Sequence, residues 1–590
     1  MLQDEKVLAL LKAPGLYSFD LIPNGIIFCS DMDGYRDLYF LSGRQIRPVF
    51  SERRNRIGPV GFRNSNSFLY FEDFEGDECF DIYLASIEGW DKNLTPSTSY
   101  SILPNATVSA SGSLLAYVSD EEGSFASYVL DLRNGKKRRI TDHEYSDVFA
   151  SISPDGAYVA VESQWNGTNT RVSIFSARTG KRVMDIAEGN DILEASEPYW
   201  FSDSRRVCFS SSQHSHSEIG MISLNNGSIR WLTDGKEDCY SPVPSDAGDI
   251  AYLVCREGSV LLSTYSLVSG IRKFYGADGV AMSPAFSRDG SVIYYAFESP
   301  GSVRELHSLH RATRNARRLT DHRRKVPELD FVTGEHITVK NTRDGMLIPA
   351  LLFTPKERAE AGVVYLHGGP TSAFLNYWEP LVQLLVASGI AVIAPNYRGS
   401  TCYGKEFRDA NRFVMGDMDV SDCVAARNYL VENNLVPKDR VGVTGASFGG
   451  YLTMCCLTFY SELWKCGSAV VPFMNWFTEI ENERSDLRYW DLTNMGDPVK
   501  DRERLMKASP YFYLENIRAP VQIIAGEHDP RCPRSESEEA VRKLRELGKQ
   551  VDYICYEGEG HSFRSVERRA DADYRCYKFL ISHLLDGKQV

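Results

Sequence analysis

Ser447 lies in the middle of the pentapeptide 445–449, Gly-Ala-Ser-Phe-Gly, which fits the pattern Gly-x-Ser-x-Gly. The apolar run 441–444 before it is strand-like, and the segment 451–459 after it suits a helix. At such a strand-to-helix turn the serine is held in a strained backbone conformation, its hydroxyl projects above the sheet, and the next backbone N–H, that of Phe448, faces the same point. The pattern predicts a nucleophile for acyl transfer, with an ordinary glycine-rich turn as the alternative.

A serine hydroxyl is a weak nucleophile at neutral pH, so it needs a histidine to accept its proton and a carboxylate to orient that histidine. Asp529 follows the apolar run 521–525 and lies 82 residues after Ser447. His561 follows the next apolar run, 551–556, and lies 32 residues after Asp529. Serine, then acid, then histidine, each just past a strand, is the order of an α/β-hydrolase. We therefore predict that Ser447, Asp529 and His561 form a catalytic triad.

Two other histidines compete for the role of base. His528 precedes the acid, where a side chain at a strand end commonly packs or bonds locally, and His583 lies in a helical segment, 574–585, that is expected to dock on the sheet. For His561 itself the alternative is a surface histidine without a catalytic role. The order of the motifs favours His561.

A second donor for the oxyanion is expected in the loop after an early strand. The run 362–366 predicts that strand, and His367-Gly368-Gly369-Pro370 follows it. Glycines allow a backbone N–H to approach a developing alkoxide without an intervening side chain. Two adjacent glycines also occur in simple turns, which is the alternative.

The first half of the chain repeats a strand, a polar turn and a second strand. The first copy is 37–46, and six later copies align on residues 86, 131, 176, 223, 266 and 310, which are 45, 45, 47, 43 and 44 residues apart. Hairpin signals such as Ser153-Pro-Asp-Gly156 lie between the copies. Four strands in about 45 residues are typical of a β-propeller blade, so we predict seven blades over residues of about 20 to 325. A β-sandwich with accidental spacing is the alternative.

Length, net charge and cysteine content exclude some classes of function. A chain of 590 residues predicts two or more domains, and a net charge of −13 argues against nucleic acid as a partner. The basic runs 136–139, 314–318 and 322–325 are interpreted as solvated strand ends or linker. The 13 cysteines form no Cys-x-x-Cys pair and are predicted to be reduced core thiols. No signal peptide or membrane span is recognised, so we expect a cytoplasmic protein without membrane partners, metal or cofactor.

The predicted fold class is a seven-bladed β-propeller plus an α/β-hydrolase domain. The hairpin 336–353 opens the second domain, and the apolar residues 7–11 suit a helix that packs back onto it. We predict an N-terminal helical segment over residues 1–19, the propeller over 20–325 and the catalytic domain over 326–590.

The combination of a predicted propeller with a set of C-terminal motifs resembles the prolyl oligopeptidase family of serine peptidases. The His-Gly-Gly-Pro form is most similar to the acylaminoacyl-peptidase branch. The motifs are Asp344 to Ala350, His367 to Pro370, Asn396 to Gly404, Gly445 to Tyr451, Asp529 to Arg531, and Gly560-His561.

The resemblance implies roles for particular residues. Phe448 and Gly369 donate backbone N–H groups to the oxyanion, and Arg531 binds a main-chain carbonyl of the substrate. An exposed loop arginine that pairs with a nearby carboxylate is the alternative for Arg531. Where other branches of the family use a tyrosine hydroxyl in the oxyanion hole, this chain has His367, so its hole is expected to rely on backbone donors.

The expected reaction is acyl transfer on a short peptide or an acyl-peptide, with the propeller limiting substrate size. Two acidic pairs, Glu72-Asp73 and Glu121-Glu122, are interpreted as solvated hairpin residues rather than a grip for a free N-terminus, which favours blocked N-termini or endopeptidase action. The aromatic segment 473–490 is predicted either to line an apolar specificity pocket or to be core.

Two other functions stay open. One is an amidase or esterase that acts on a small peptide-like metabolite, and the other is a propeller scaffold with an inactive hydrolase domain, against which the intact triad argues. The sequence does not define the residue preference at the scissile bond, exopeptidase or endopeptidase action, the physiological substrate or the oligomeric state, and a homo-oligomer is allowed.

Overall fold

A computed structural model describes residues 3–96, 100–166, 168–276 and 278–585 of the chain. A short helix, α1 (Asp4–Leu11), precedes a series of antiparallel sheets, and a larger, mostly parallel sheet with helices follows them. Residues 1–2 and 586–590, the extreme ends of the two predicted terminal regions, lie outside the described residues.

The first sixteen strands form four antiparallel sheets of four strands, each in chain order. The first sheet contains β1 (Leu16–Ile22), β2 (Gly25–Ser30), β3 (Asp37–Ser42) and β4 (Gln45–Pro48). The second contains β5 (Arg56–Gly61), β6 (Ser67–Glu72), β7 (Asp81–Ser86) and β8 (Asp91–Asn93). The third contains β9 (Ile102–Val108), β10 (Leu114–Ser119), β11 (Ala126–Asp131) and β12 (Lys137–Arg139). The fourth contains β13 (Asp147–Ile152), β14 (Tyr158–Asn166), β15 (Asn169–Ser176) and β16 (Arg182–Asp185).

The next strands continue this arrangement after a two-stranded hairpin, β17 (Ala187–Glu188) and β18 (Asp191–Ile192). A further four-stranded sheet contains β19 (Ser196–Trp200), β20 (Arg206–Ser211), β21 (Glu218–Ser223) and β22 (Ile229–Trp231). Two antiparallel groups of four follow: β23 (Cys239–Pro244), β24 (Asp249–Arg256), β25 (Ser259–Ser266) and β26 (Arg272–Tyr275); then β27 (Val280–Phe286), β28 (Val292–Ser299), β29 (Ser302–His310) and β30 (Asn315–Arg318). A single parallel pairing, Val260 with Val280, joins these two groups.

The position of a strand within its sheet explains its composition. Inner strands such as β2 and β10 are buried along nearly their whole length, because neighbouring sheets cover both of their faces. Outer strands such as β12 and β30 are short, exposed and rich in Lys and Arg, which discourages pairing with another chain at a free sheet edge. These two outer strands contain most of the basic runs 136–139 and 314–318, as expected for solvated strand ends.

The third basic run behaves differently. His322 begins a short 3-10 helix, His322–Lys325, and its side chain is buried. Its Nδ1 lies 2.8 Å from a carboxylate oxygen of Glu305 in β29, and its Nε2 lies 2.9 Å from the hydroxyl of Ser30 in β2. The prediction of a solvated segment is therefore wrong for His322, which links the last antiparallel group to the first sheet.

The second part of the chain is built on one eight-stranded sheet with the order β31-β32-β34-β33-β35-β36-β37-β38. Its strands are β31 (Glu335–Lys340), β32 (Leu347–Phe353), β33 (Ala361–Leu366), β34 (Ile390–Pro395), β35 (Val441–Ala446), β36 (Gly467–Val470), β37 (Val521–Gly526) and β38 (Val551–Tyr556). The first two are antiparallel to their neighbours and the other six run parallel. This is the βαβ arrangement in which helices cover both faces of a sheet.

The helices of this part are α2 (Pro380–Ala387), α3 (Lys405–Asp409), α4 (Met418–Glu432), α5 (Phe448–Phe459), α6 (Trp476–Asn482), α7 (Ser485–Asn494), α8 (Arg502–Ala508), α9 (Arg534–Glu546) and α10 (Val566–Leu584), with a 3-10 helix at Pro510–Asn516. One apolar cluster packs α4, α5, α8 and α9 on one face of the sheet. A second cluster packs α2 and α10 on the other face, and Val7, Leu10 and Leu11 of α1 belong to it.

A disulfide joins the two parts of the chain. Cys255 in β24 pairs with Cys402 in the loop after β34, with 5.4 Å between their Cα atoms and 147 residues between them in sequence. The prediction that the cysteines are reduced core thiols is therefore wrong for this pair. Such a pairing does not follow from sequence spacing, because it depends on which loops the fold brings together.

Candidate active site

Ser447 lies between β35 and α5 in the backbone conformation expected of a strained strand-to-helix turn, with φ 57° and ψ −124°. Two flanking glycines make this turn possible. A Cβ on Gly445 or Gly449 would lie 2.4 or 2.2 Å from the carbonyl oxygen of Leu366, at the end of β33. No side chain fits at either position, so the pattern of the pentapeptide reflects close packing of the turn against the neighbouring strand.

His561 and Asp529 lie together at the carboxyl ends of β38 and β37, which are parallel neighbours. Nδ1 of His561 is 2.7 Å from Oδ2 of Asp529, and the two side chains are 8% and 1% exposed. Oδ1 of Asp529 accepts hydrogen bonds from the backbone N–H groups of Arg531 and Cys532, both at 2.9 Å. These bonds hold the carboxylate in place so that it can orient the imidazole.

The two competing histidines have partners other than Asp529. Nδ1 of His528 faces the backbone oxygen of Glu75, at 3.2 Å, in a turn of the antiparallel part. His583 lies in α10, where its Nδ1 is 2.9 Å from the backbone oxygen of Phe579. His583 thus bonds within its own helix, whereas His528 bonds to a residue 453 positions away in sequence, so the expectation of local bonding is wrong for His528.

The loop after β33 lies against Ser447. A Cβ on Gly368 would be 3.3 Å from Cβ and 3.9 Å from Oγ of Ser447, and Gly369 has φ 132°, where a non-glycine residue is strained. Nδ1 of His367 is 2.7 Å from the backbone oxygen of Gly368, and its Nε2 is 2.9 Å from the hydroxyl of Ser400. The Tyr397 hydroxyl donates to the backbone oxygen of His367, at 2.7 Å.

The imidazole of His367 acts as a neutral group. Burial lowers the pKa of His367 to about 4, because the charged form is poorly solvated there. The ring stacks on Tyr397 with 4.3 Å between centroids. His367 therefore stabilises the loop of Gly368 and Gly369 through hydrogen bonds, and it contributes no positive charge at neutral pH.

Arg531 pairs with a carboxylate that the sequence analysis did not identify. Its Nε lies 2.9 Å from both carboxylate oxygens of Glu78, which belongs to the turn between β6 and β7. Arg484 donates to the same carboxylate at 2.6 Å and also pairs with Asp486. The alternative noted for Arg531, a pairing with a nearby carboxylate, is thus present, and its contact with substrate stays a prediction.

No local signal marks Glu78, because its partner Arg531 is 453 residues away in sequence. Among the acidic pairs considered from sequence, Glu121 and Glu122 pair with Lys137 and Arg139 of β12. Asp73 accepts a hydrogen bond from the backbone N–H of Glu78 at 3.3 Å.

The turn that contains Glu78 also touches the loop of His561. A Cβ on Gly560 would lie 2.0 Å from the backbone oxygen of Gly76, so the two backbones are in direct contact. Beside this contact, a cavity of about 490 Å³ is lined by Phe74 and Asp77 on one side and by residues 527–529 and 533–535 on the other. Asp529 thus lies at a boundary between the two parts of the chain.

The aromatic segment after β36 belongs largely to the core. Phe473 and Trp476 are buried and pack against Tyr451 of α5, with ring centroids 4.4 and 5.5 Å apart from it. Of the two interpretations made from sequence, the structure supports core for these two residues.

A parallel sheet flanked by helices, with a serine at a strained strand-to-helix turn, defines an α/β-hydrolase fold serine hydrolase. Residues 377–587 match the model of the prolyl oligopeptidase family, and residues 74–330 match that of the TolB beta propeller domain. The chain therefore contains a prolyl oligopeptidase family serine peptidase domain and a β-propeller domain. The family resemblance and the two-domain fold class are confirmed, whereas the number of blades stays a prediction.

Two relatives and one solved structure show the range of similar proteins. Dipeptidyl aminopeptidase BIII of Pseudoxanthomonas mexicana is 25% identical over 562 residues, which cover 85% of this chain and 76% of the relative. The acylamino-acid-releasing enzyme of Rattus norvegicus is 24% identical over 78% of this chain and 62% of its own length. A puromycin-hydrolyzing peptidase of Mycobacterium tuberculosis superposes with a TM-score of 0.85 at 18% identity, covering 98% of this chain and 96% of its own.

Within residues 3–96, 100–166, 168–276 and 278–585, no helix is both long and apolar enough to cross a membrane. Over the same ranges, no three or more His, Cys, Asp or Glu side chains are grouped so that they could hold a metal ion. The cytoplasmic location stays a prediction.

Proposed function

We propose that the protein hydrolyses short peptides or N-acylated amino acids and peptides, with Ser447 as nucleophile, His561 as base and Asp529 as the orienting acid. The observation that carries this proposal is the 2.7 Å pairing of His561 Nδ1 with the buried carboxylate of Asp529. Because the Asp529 carboxylate accepts a hydrogen bond from Nδ1–H, the Nε2 of His561 keeps a lone pair that can take the proton of Ser447.

The reaction then proceeds in two acyl-transfer steps. Oγ of Ser447 attacks the substrate carbonyl while His561 takes its proton, and the oxyanion accepts hydrogen bonds from the backbone N–H groups of Phe448 and Gly369. His561 next protonates the leaving amine. Water, deprotonated by His561, releases the acyl group from Ser447. The close approach of Gly368 to Ser447 supports the placement of Gly369 in the oxyanion hole.

The four-stranded groups support a propeller of seven blades over residues 20–325 and a catalytic domain over 326–590. Val7, Leu10 and Leu11 support packing of α1 on the catalytic domain, whereas β1 already begins at Leu16 and belongs to the first antiparallel sheet. The bonds from His322 to Glu305 and Ser30 support closure between the last blade and the first. In this arrangement the propeller limits substrate size, and Arg531 binds a main-chain carbonyl one residue before the scissile bond.

A second candidate is an amidase or esterase that acts on a small peptide-like metabolite. The similarity in fold to a puromycin-hydrolyzing peptidase favours it. Esters are cleaved more easily than amides, so the same triad would serve either chemistry.

Turnover by Ser447→Ala tests the proposal. This variant should lose nearly all hydrolysis of a blocked dipeptide anilide and should no longer be labelled by a fluorophosphonate, because the nucleophile is gone. A panel of acyl-, amino- and succinyl-blocked peptide anilides with matched esters separates the peptidase from the metabolite hydrolase. The same panel should be cleaved while denatured casein is spared. A Ser447→Ala enzyme that keeps a large part of its amidase activity contradicts the triad, and rapid casein degradation contradicts the size limit.

A further inference from the structure

A buried group of acidic side chains lies on α6 and α7, beyond the residues assigned to the reaction. Glu479 and Asp491 are 4% and 7% exposed, and Glu483, between the two helices, is partly buried. The carboxyl groups of Glu483 and Asp491 interact with each other. Carboxyl groups are seldom buried unless a cation or several hydrogen bonds compensate for the lost hydration.

The nearby cations are already engaged with other carboxylates. Arg484 pairs with Glu78 and Asp486, and Arg531 pairs with Glu78. Among the described residues, no hydrogen bond reaches the buried Oε2 of Glu479 or the buried Oε1 of Glu483. An unsatisfied buried acceptor costs free energy, so these two oxygens indicate a site for a donor that the protein itself does not supply.

The group lies between the nucleophile turn and the loop of Asp529. On one side, Glu479 lies beside the thiol of Cys532, three residues after Asp529. On the other side, α6 begins at Trp476, and the preceding Phe473 contacts the ring of Phe448, the residue after Ser447, with 6.3 Å between centroids. An acyl group attached to Ser447 that extends its side chain between these two segments would point toward the acidic group.

A metal ion suits these residues poorly. Over the described part of the chain, these carboxylates are not arranged as a set of three or more metal ligands. An ammonium or guanidinium at the end of a flexible stem needs no fixed coordination geometry and donates several hydrogen bonds to carboxylates.

We propose that Glu479, Glu483 and Asp491 form a specificity site for a cationic side chain, that of lysine or arginine, on the residue whose carbonyl Ser447 attacks. This inference rests on the proposed function. Burial raises the pKa of Asp491, and burial together with the charge of Asp491 raises the pKa of Glu483. A bound cation would favour ionisation of these carboxyls by direct attraction. Recognition would then depend on the charge of the substrate side chain rather than on its length.

Two substrates that differ only in charge provide the test. Acetyl-Ala-Lys anilide should have a kcat/KM at least about tenfold above that of acetyl-Ala-norleucine anilide, which has a similar stem without the ammonium group. Glu479→Gln should lower kcat/KM for the lysine substrate by about tenfold or more and leave the norleucine substrate within about twofold. Glu481→Gln is the matched control, because Glu481 lies on the same helix with its side chain exposed.

The free amino terminus of a peptide is another source of an ammonium group, so the norleucine substrate is also compared with and without its acetyl group. If removal of the acetyl group raises kcat/KM and Glu479→Gln abolishes that gain, the site binds the terminal amine and the side-chain proposal is overturned. Equal rates for lysine and norleucine in the wild type overturn it as well. Cleavage of norleucine by Glu479→Gln shows that the variant is folded. If neither substrate is cleaved by the wild type although the fluorophosphonate reacts, the proposed peptidase function fails rather than the specificity site alone.

Discussion

The propeller and the hydrolase domain both bury their strands in sheets, but they pair those strands in different orders. In the propeller each strand pairs mainly with the next strand along the chain, so its sheets keep sequence order. In the hydrolase domain β34 lies between β32 and β33, and the proposed triad combines three strand ends separated by 82 and 32 residues. Local pairing produces a repetitive scaffold, whereas long-range pairing produces a point at which distant side chains converge.

At the boundary between the domains, residues of the propeller contact residues of the candidate active site. The turn between β6 and β7 contributes Glu78 to Arg531 and Arg484, and its Gly76 contacts Gly560. The propeller therefore contacts the loops of Asp529 and His561 through the side chain of Glu78 and the backbone of Gly76.

In the hydrolase domain, we expect the largest loss of activity from Asp529→Asn. The amide keeps the size of the carboxylate but no longer fixes the imidazole tautomer or stabilises its charged form, so kcat on a blocked dipeptide anilide should fall by about 10⁴-fold. Glu557→Gln, at an exposed turn after β38, is the control and should leave kcat unchanged. A loss of less than about tenfold, with unchanged circular dichroism, would remove Asp529 from the triad.

In the propeller, His322→Ala tests whether the contact between the last and first four-stranded groups stabilises the domain. Removing the imidazole leaves the buried carboxylate of Glu305 and the hydroxyl of Ser30 without this partner, which should destabilise the propeller by about 3 kcal/mol. Hydrogen exchange should accelerate in β2 and β29 while β33 to β37 stay protected, because the parallel sheet has its own core. Equal acceleration in both domains would mean that they unfold as one unit and that the local bond is not the closure.

Arg531→Ala examines the boundary and has the smallest expected effect. The loss should be about 1.5–3 kcal/mol of transition-state binding for a blocked dipeptide anilide, the range for hydrogen bonds to a charged group. It should be much smaller for p-nitrophenyl butyrate, which lacks the upstream carbonyl. Glu78→Gln is the companion variant, because it removes the carboxylate that holds Arg531. Equal losses on both substrates would instead assign Arg531 to the folding of the loop or to support of the triad.

The sequence predicted the scaffold well because local patterns determine it. The apolar run 551–556 became β38 with the same limits, and the segment 451–459, which suits a helix, lies within α5, Phe448–Phe459. Strand ends carry Ser447, Asp529 and His561 in the predicted order, because parallel neighbours place their carboxyl ends on one edge of the sheet.

The unpredicted features all depend on contacts between distant segments. Glu78 meets Arg531 across 453 residues, and Cys255 meets Cys402 across 147. His322 was grouped with basic neighbours, although its side chain turns inward to Glu305. Charge and spacing along the chain do not encode which loops of two domains face each other, so these pairs require the fold.

The contact between Gly76 and Gly560 links the relative position of the two domains to the support of the loop that contains His561. The backbone just before His561 rests on a turn of the propeller, at a distance that leaves no room for a Cβ on either side. Any separation of the two domains that admits a substrate also withdraws the surface on which the histidine loop rests. If His561 is the base, as proposed, an open molecule would bind a substrate while the histidine loop lacks this support, and closure would complete the active site when the substrate is enclosed.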